Sequence, residues 1–407
     1  MRVLQVVKTT TGGAWAAWQA GQLTALGIDV HVALPSTSGL NYADWLRSGA
    51  TIHIADLDFP SRAPWRIPAV LEGARRLVDR VQPDVIHSHF IGTTLTLRQA
   101  LGRNHAIPRV YQVAGPLHLE HAIFRAADIR TAGPRDYWIC TSRCIQELLA
   151  QHGVDRSRLF LSYYGWELAN RPAERTNAFR SWLGIGPRTL MVGNISWLYA
   201  PKYYLGQRIG LKGHEHLIEA LGSVVRTRPD VVGVLVGGAF AGATWYEERL
   251  RRRALEAGQG RILMPGPLSA AGVGQAWPDF DCAIHAPLSE NCGGVLEPLY
   301  AGVPTIGARV GGVPELVIDE ITGKLVPPAS PAALAEALVQ VLGDLPHYRI
   351  LARRGHELVK KMFDVERTTR EVADIYRYVL GRASQRPAAF DSARSAAELH
   401  EPIALCC

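Results

Sequence analysis

The chain reads as an α/β protein built from two doubly wound, Rossmann-like domains in tandem. Three observations predict this. Its 407 residues exceed what one ordinary core holds and suit two domains of common size. Short β-branched runs alternate with longer helical patterns through Gly, Pro or Asp turns, the signature of a parallel sheet covered by helices on both faces. The alternation breaks over 165–188, a polar and turn-rich stretch, and then restarts.

In the first half, strands are expected at Val3–Val7, Asp29–Leu34, Thr51–Ala55, Asp84–His87, Arg109–Val113 and Tyr137–Thr141. Helical patterns follow Gly12-Gly13 through about Leu26, then run over Pro68–Val81 and near Thr94–Leu101. The second half repeats the order, with strands at Thr189–Gly193, Asp230–Val236, Arg261–Met264, Asp281–His285 and Val303–Ile306. Helices are expected over Gly213–Arg226 and Trp245–Ala257, and later at 331–343, 346–358 and 365–380. The boundaries that follow are a first domain over 1–168, a linker over 169–187 and a second domain over 188–362. A closing helix at 363–381 has the length to pack back on the first domain, and the Ala/Ser/Pro-rich 382–407 is expected to be a loose tail. Ligands of such sheets sit beyond the carboxyl ends of the strands, here in a deep cleft where the two domains face each other.

Composition narrows the function. A hydrophobic content of 47% is ordinary for a globular protein, and no run approaches about eighteen consecutive apolar residues. The opening MRVLQVV enters a strand directly, without the apolar region of a signal peptide, so a cytoplasmic protein is expected. The six cysteines (140, 144, 282, 292, 406 and 407) make no metal-ligand framework and no disulfide scaffold. Cys406-Cys407 lacks the prenylation pattern and reads as an incidental ending. The charge of +7 is spread along the chain, suits anionic small ligands or an acidic membrane surface, and accompanies no nucleic-acid motif. The segment 62–81 mixes arginines and Trp65 with apolar residues: either a peripheral membrane contact or a two-faced helix on the sheet explains it.

The most informative stretch is His285–Val317. Glu290 and Glu297 flank the diglycine Gly293-Gly294 on a loop running into a helix. A helix start offers unpaired N–H groups to phosphate, whereas carboxylates accept hydrogen bonds from hydroxyls; together they suggest a sugar nucleotide. After strand Thr189–Gly193 come Asn194 and an aromatic insert with Trp197, Tyr199, Tyr203 and Tyr204, ending at Lys212-Gly213. Lys212 suits a diphosphate, with Arg208 and Lys202 as further cationic arms. The insert forms either a wall for a ring-shaped substrate or a packing element. Gly12 and Gly13 make either a tight turn or a close ligand approach, without the full dinucleotide fingerprint. His118, after a strand and the Gly115-Pro116 turn, is the catalytic candidate among the histidines; a satisfied structural histidine is the competing reading. His87 and His89 read as strand-end alternation and Asp56-Leu57-Asp58 as a surface loop, so no metal is expected.

With these residues in view, the chain resembles the retaining glycosyltransferases of family 4, which have the GT-B fold. The resemblance spans about residues 2–375 and rests on VGNISW, GLKGHEHLIEAL, DCAIHAPLSENCGGVLEPLYAGVPTI and GGVPELVIDEITGKLVPP in that order. It implies a donor nucleotide on the second domain, an acceptor held mainly by the first, and no permanently bound cofactor or metal. It assigns Glu297 to the ribose hydroxyls and Glu290 to those of the donor sugar. Ser289, Cys292, Gly293, Gly294 and Val295 line the donor loop, the two glycines presenting N–H groups to sugar and phosphate. Lys212 goes to the diphosphate, His118 to the donor sugar near the reacting centre, and Gly12 and Gly13 to the loop near phosphate and acceptor. UDP-linked sugars are the family's commonest donor type. Two departures follow. The family's acidic pair usually has seven residues between its members, whereas Glu290 and Glu297 have six. Either the loop is shortened and Glu290 still reaches the sugar, the expectation adopted, or Ser289 takes its place. Asn194, counted with the donor-binding residues, stands where the family has an arginine, and Arg208 is expected to compensate on the diphosphate.

The resemblance thus implies transfer of a sugar from a nucleoside diphosphate to a hydroxyl of a saccharide, lipid-linked glycan or natural-product acceptor. The competing readings are an epimerase or hydrolase of the same fold, and a non-catalytic sugar-nucleotide-binding partner protein.

Overall fold

The computed structural model describes residues 1–167 and 174–399, in two compact units. Cys406 and Cys407, with 168–173 of the expected linker, lie outside the described residues. Of the described residues, the first unit takes Met1–Glu167 together with Met362–Phe390, and the second takes 174–361 with 391–399.

The first unit is a seven-stranded parallel sheet in the order β3-β2-β1-β4-β5-β6-β7. Its strands are β1 (Arg2–Val6), β2 (Asp29–Leu34), β3 (Thr51–Ile54), β4 (Val85–Ser88), β5 (Arg109–Val113), β6 (Asp136–Cys140) and β7 (Leu159–Leu161). Alternate residues of β1 serve opposite faces. Val3 joins the core under helices Ala14–Ala25 and Val365–Val379, while Leu4 and Val6 face helix Ile67–Val81. That last helix buries Val70, Ala74, Leu77, Val78 and Val81, the stripe of a two-faced helix on a sheet, and Trp65 just before it stays exposed.

The second unit is a six-stranded parallel sheet in the order β10-β9-β8-β11-β12-β13. Its strands are β8 (Leu190–Ile195), β9 (Val231–Val236), β10 (Ile262–Gly266), β11 (Cys282–His285), β12 (Thr305–Ala308) and β13 (Lys324–Val326). One face packs on helices His214–Thr227, Thr244–Gly258 and Pro331–Gly343, the other on Phe179, Ile185, Trp277 and Phe280. In each sheet the strand order reverses once, at β1/β4 and at β8/β11, and the carboxyl ends of those pairs are where such sheets bind ligands.

Three regions differ from the sequence reading. Strands β7 and β13 and the helices Tyr42–Arg47, Ala122–Thr131, Arg143–Gln151 and Ala270–Ala276 carry too few residues, or too mixed a pattern, to stand out. Part of the expected linker is core: helix Ala178–Trp182 lies within it, and Phe179 and Ile185 are buried in the second unit. Its polar character misleads because the charges point inward. Arg180 is buried on Asp281 at 3.0 Å, Arg175 reaches the same carboxylate at 2.9 Å, and Asp279 accepts from the Phe179 N–H at 2.8 Å. The expected loose tail holds helix Ser392–Glu398, capped by Asp391, and ahead of it the Arg386 guanidinium lies 4.5 Å from the Phe160 ring. No helix among the described residues is long and apolar enough to cross a membrane.

Candidate functional site

The two strands at the second unit's reversal carry the polar residues on which the site is built. Asn194, near the end of β8, is buried and donates from Nδ2 to the Ile284 carbonyl at 2.8 Å. The same Nδ2 lies 3.3 Å from Nδ1 of His285, the last residue of β11. Ser196 Oγ donates to Asn194 Oδ1 at 2.6 Å, and His214 Nε2 sits 3.2 Å from that hydroxyl. On its other side, His285 places Nε2 3.0 Å from Glu290 Oε2, the oxygen that also pairs with the Lys212 ammonium. The remaining oxygen of Glu290 accepts the Asn291 N–H at 3.0 Å.

Backbone shape makes this possible. Gly213 caps the following helix at φ +68°, and a Cβ there would lie 1.9 Å from the Ala286 carbonyl oxygen, so only glycine lets the Lys212 turn approach the β11 loop. Gly294 is as tightly constrained: a Cβ would fall 2.0 Å from His285 Nε2. Its want of a side chain makes room for the imidazole, a role distinct from the expected presentation of N–H groups to a ligand.

The charges here are paired and largely out of water. Burial alone would raise the pKa of Glu290, but Lys212 and the His285 hydrogen bond outweigh it and hold the carboxyl well below the usual carboxylate range. Burial pushes His285 down, with Glu290 only partly opposing, so the imidazole is neutral at pH 7. His214 is pushed down to about 3, chiefly by burial.

The other predicted residues of this unit fall around the cluster. Glu297, half-buried on helix Gly293–Tyr300, has Oε2 3.3 Å from the indole nitrogen of Trp277, which donates to it. Gly293 is exposed with open space where a side chain would be. Cys292 and Ser289 are buried, the thiol facing the Gly312 carbonyl at 3.5 Å, and Val295 is fully buried in the core. Arg208 is exposed and makes no hydrogen bond or ion pair among the described residues. Asn194, by contrast, spends its amide inside the protein. The aromatic insert does two things at once: Tyr199 stacks on Phe240 with ring centres 4.2 Å apart, while Trp197, Tyr203 and Tyr204 remain exposed.

The first unit brings a separate set together. His118 lies on the short helix Leu117–Glu120, with Nε2 3.1 Å from Asp128 Oδ2. Asp128 is fully buried and held from its other oxygen by Arg98 Nη1 at 2.7 Å and Trp138 Nε1 at 3.2 Å. Burial works against its charge, yet His118 and Arg98 prevail and lower its pKa. Gly13 takes φ +82° to start helix Ala14–Ala25, and a Cβ at Gly12 would meet nothing within 4 Å. His87 and His89 are buried, with Nδ1 atoms 2.5 Å and 3.3 Å from the hydroxyls of Tyr376 and Tyr164. Among the described residues, no group of three His, Cys, Asp or Glu residues is arranged to hold a metal.

His285, His214, Trp277 and Asp128 were not singled out from the sequence. A histidine closing a β-strand just ahead of an acidic loop is the one local signal that points to His285.

Comparison with known proteins follows the same two units. Residues 203–358 match the family described as glycosyl transferases group 1, and residues 19–169 match glycosyltransferase family 4. A D-inositol 3-phosphate glycosyltransferase of Saccharomonospora viridis is 32% identical over 43% of this chain and 42% of its own length. Its counterpart in Acidothermus cellulolyticus is 26% identical over 75% of this chain and 69% of its own. The chain therefore spans about two-fifths of the first of these relatives and about two-thirds of the second. Among solved structures, Anabaena HepE in complex with UDP and glucose superposes with a TM-score of 0.75 at 20% identity, covering 92% of this chain and 99% of HepE.

Proposed function

Because this chain belongs to the family 4 type of glycosyltransferases, with the GT-B fold, we propose that it transfers a sugar from a UDP-linked donor to an acceptor hydroxyl with retention of configuration. The observation that carries this reading is the Lys212–Glu290–His285 cluster at the strand reversal of the second unit. A cation and a hydroxyl-accepting carboxylate stand together there, the two chemistries that a diphosphate-linked sugar requires. HepE, of the same fold, is described with UDP and glucose.

In this reading Lys212 and the exposed Arg208 hold the diphosphate. As the glycosidic bond breaks, negative charge builds on the leaving phosphate oxygen and positive charge on the sugar ring. Cations and N–H groups already in place stabilise that separation without reorganising. Glu290 accepts from sugar hydroxyls and Glu297 from the ribose. His118 offers Nδ1 to substrate, since Nε2 faces Asp128. Retention follows when the acceptor attacks from the face that the diphosphate leaves, its proton passing to the departing phosphate oxygen. The acceptor belongs to the saccharides, lipid-linked glycans or hydroxylated natural products.

Saturation-transfer NMR with a panel of nucleoside diphosphate sugars tests the donor, and the anomeric proton coupling of the product tests retention. Saturation of a UDP-sugar and a product with the donor's configuration are expected. Binding to none of the panel, or an inverted product, would overturn the reading.

A further inference from the structure

Glu290 Oε2 is held by two donors of different kinds, while Oε1 accepts the Asn291 N–H. Lys212 is a flexible cation with its side chain partly exposed, and in the proposed function it holds the donor's diphosphate. His285 is a buried ring fixed on both sides. We propose that His285 is a positioning residue that keeps the Glu290 carboxylate ionised and aimed at the donor sugar while Lys212 turns to the diphosphate. This inference rests on the proposed role of Glu290.

The hydrogen bonds around His285 have a fixed direction. Asn194 Nδ2 faces the Ile284 carbonyl at 2.8 Å, and a carbonyl only accepts, so the amide nitrogen is the donor on that side. The His285 Nδ1 beside the same nitrogen at 3.3 Å must then accept, which places the ring proton on Nε2. That proton points at Glu290 Oε2, 3.0 Å away. Ser196 Oγ secures the other end of the Asn194 amide at 2.6 Å, and His214 secures Ser196 at 3.2 Å. The chain of donors therefore runs one way, from His214 through Ser196 to Asn194, and from Asn194 through His285 to Glu290.

Space is fitted to this ring as well. A Cβ at Gly294 would strike its Nε2 at 2.0 Å, so the glycine gives the imidazole its place beside Glu290. Without the His285 N–H, drawing Lys212 to a diphosphate would leave Glu290 with a single N–H, from Asn291 on Oε1, and its Oε2 unpaired in a poorly hydrated pocket, a state that proteins avoid by protonation or movement. A neutral, rigid N–H meets the need without competing for phosphate. The position of Asn194 fits the same scheme: a side chain that both donates and accepts connects Ser196 to His285, which an arginine, having only donors, does not do.

The test compares His285→Leu with His285→Gln, whose amide nitrogen reaches the Nε2 position. Affinities for UDP and UDP-glucose are measured by calorimetry, with unfolding midpoints alongside. The sugar-bearing ligand reports Glu290, and UDP alone reports the nucleotide contacts. His285→Leu is expected to weaken UDP-glucose about tenfold, the weight of one hydrogen bond to a charged group, and to leave UDP unchanged. His285→Gln is expected to recover most of that loss. Equal loss for both ligands, failure of the glutamine to rescue, or no loss would overturn the inference. In the free protein, ¹⁵N–¹H correlation should show His285 protonated on Nε2 only; a proton on Nδ1 overturns it regardless of ligand. Wild-type protein that binds neither ligand would instead overturn the donor reading, and the role of His285 with it.

Discussion

His118 Nε2 lies 3.1 Å from Asp128 Oδ2, and the same buried carboxylate takes Arg98 Nη1 at 2.7 Å on its other oxygen. One aspartate thus orients a partly accessible imidazole and shares with Asp136 the pairing of a fully buried guanidinium. Removing it should hurt both folding and turnover, whereas removing the imidazole should hurt turnover alone. We predict that Asp128→Asn lowers unfolding free energy by about 3 kcal/mol, the scale of a broken buried ion pair. His118→Ala should change stability by less than about 1 kcal/mol and slow transfer by about a hundredfold, as expected for loss of a positioned polar group. Urea unfolding paired with steady-state rates separates these cases. A His118→Ala enzyme with wild-type turnover would remove it from the mechanism.

Lys212 and Arg208 make a contrasting pair. Lys212 is engaged with Glu290, while Arg208 is exposed and without a partner among the described residues. Lys212→Met should weaken UDP binding about a hundredfold and also destabilise the second unit by roughly 2 kcal/mol, because Glu290 loses its cation. Arg208→Ala should weaken UDP about tenfold with an unchanged unfolding midpoint. Calorimetry with UDP decides this; affinity and turnover unaltered by Arg208→Ala would sink the idea that it replaces the arginine absent at position 194.

Glu297 accepts from the Trp277 indole at 3.3 Å, a bond that a glutamine oxygen can also accept. Glu297→Gln should therefore fold normally. We expect it to bind UDP about tenfold more weakly and to lose the preference for UDP over its 2′,3′-dideoxy analogue, since a charged acceptor to the ribose is gone. If the variant still distinguishes the two ligands as wild type does, Glu297 does not read the ribose.

Buried histidines give the protein a pH dependence of definite sign. Burial pushes His87 and His214 down to about 3, and His89 is lowered in the same direction. In the unfolded chain each binds a proton near pH 6.5, about its ordinary value. Folded pKa values below unfolded ones mean that stability is full above about pH 6.5 and is lost as pH falls toward about 3. Each such group costs about 1.4 kcal/mol per pH unit inside that window. Urea midpoints should thus drop between pH 7.5 and 5.0, before ordinary carboxylates titrate, and His214→Gln should flatten the slope for the second unit. A flat profile over that range would show that these rings are not buried neutral.

Much of the architecture is written locally. Asp29–Leu34 and Arg109–Val113 are legible to the residue because valines recur along a short run bounded by turns, the pattern of a strand in a covered parallel sheet. Helix Pro331–Gly343 is equally plain, with Pro331 after the capping Ser330 and a Leu/Val stripe behind them. The Glu290–Glu297 loop and Lys212 stand out for a similar reason, as charged residues beside glycines at the ends of apolar runs. What periodicity reports is how each segment meets the solvent. It says nothing of which polar group each polar group meets. Arg175 and Arg180 read as linker surface until Asp281, more than a hundred positions away, draws them inward. Asn194 reads as a ligand contact, yet parallel pairing of β8 with β11 sets it against His285. His118 is visible as a candidate, but its partner Asp128 and the buried Arg98 behind it emerge only when β4, β5 and β6 bring their flanking helices together. Burial of apolar surface is a property of one segment and can be read along it. Hydrogen bonds and ion pairs are directional and short, so their partners are chosen by neighbours in space, and tertiary packing decided them.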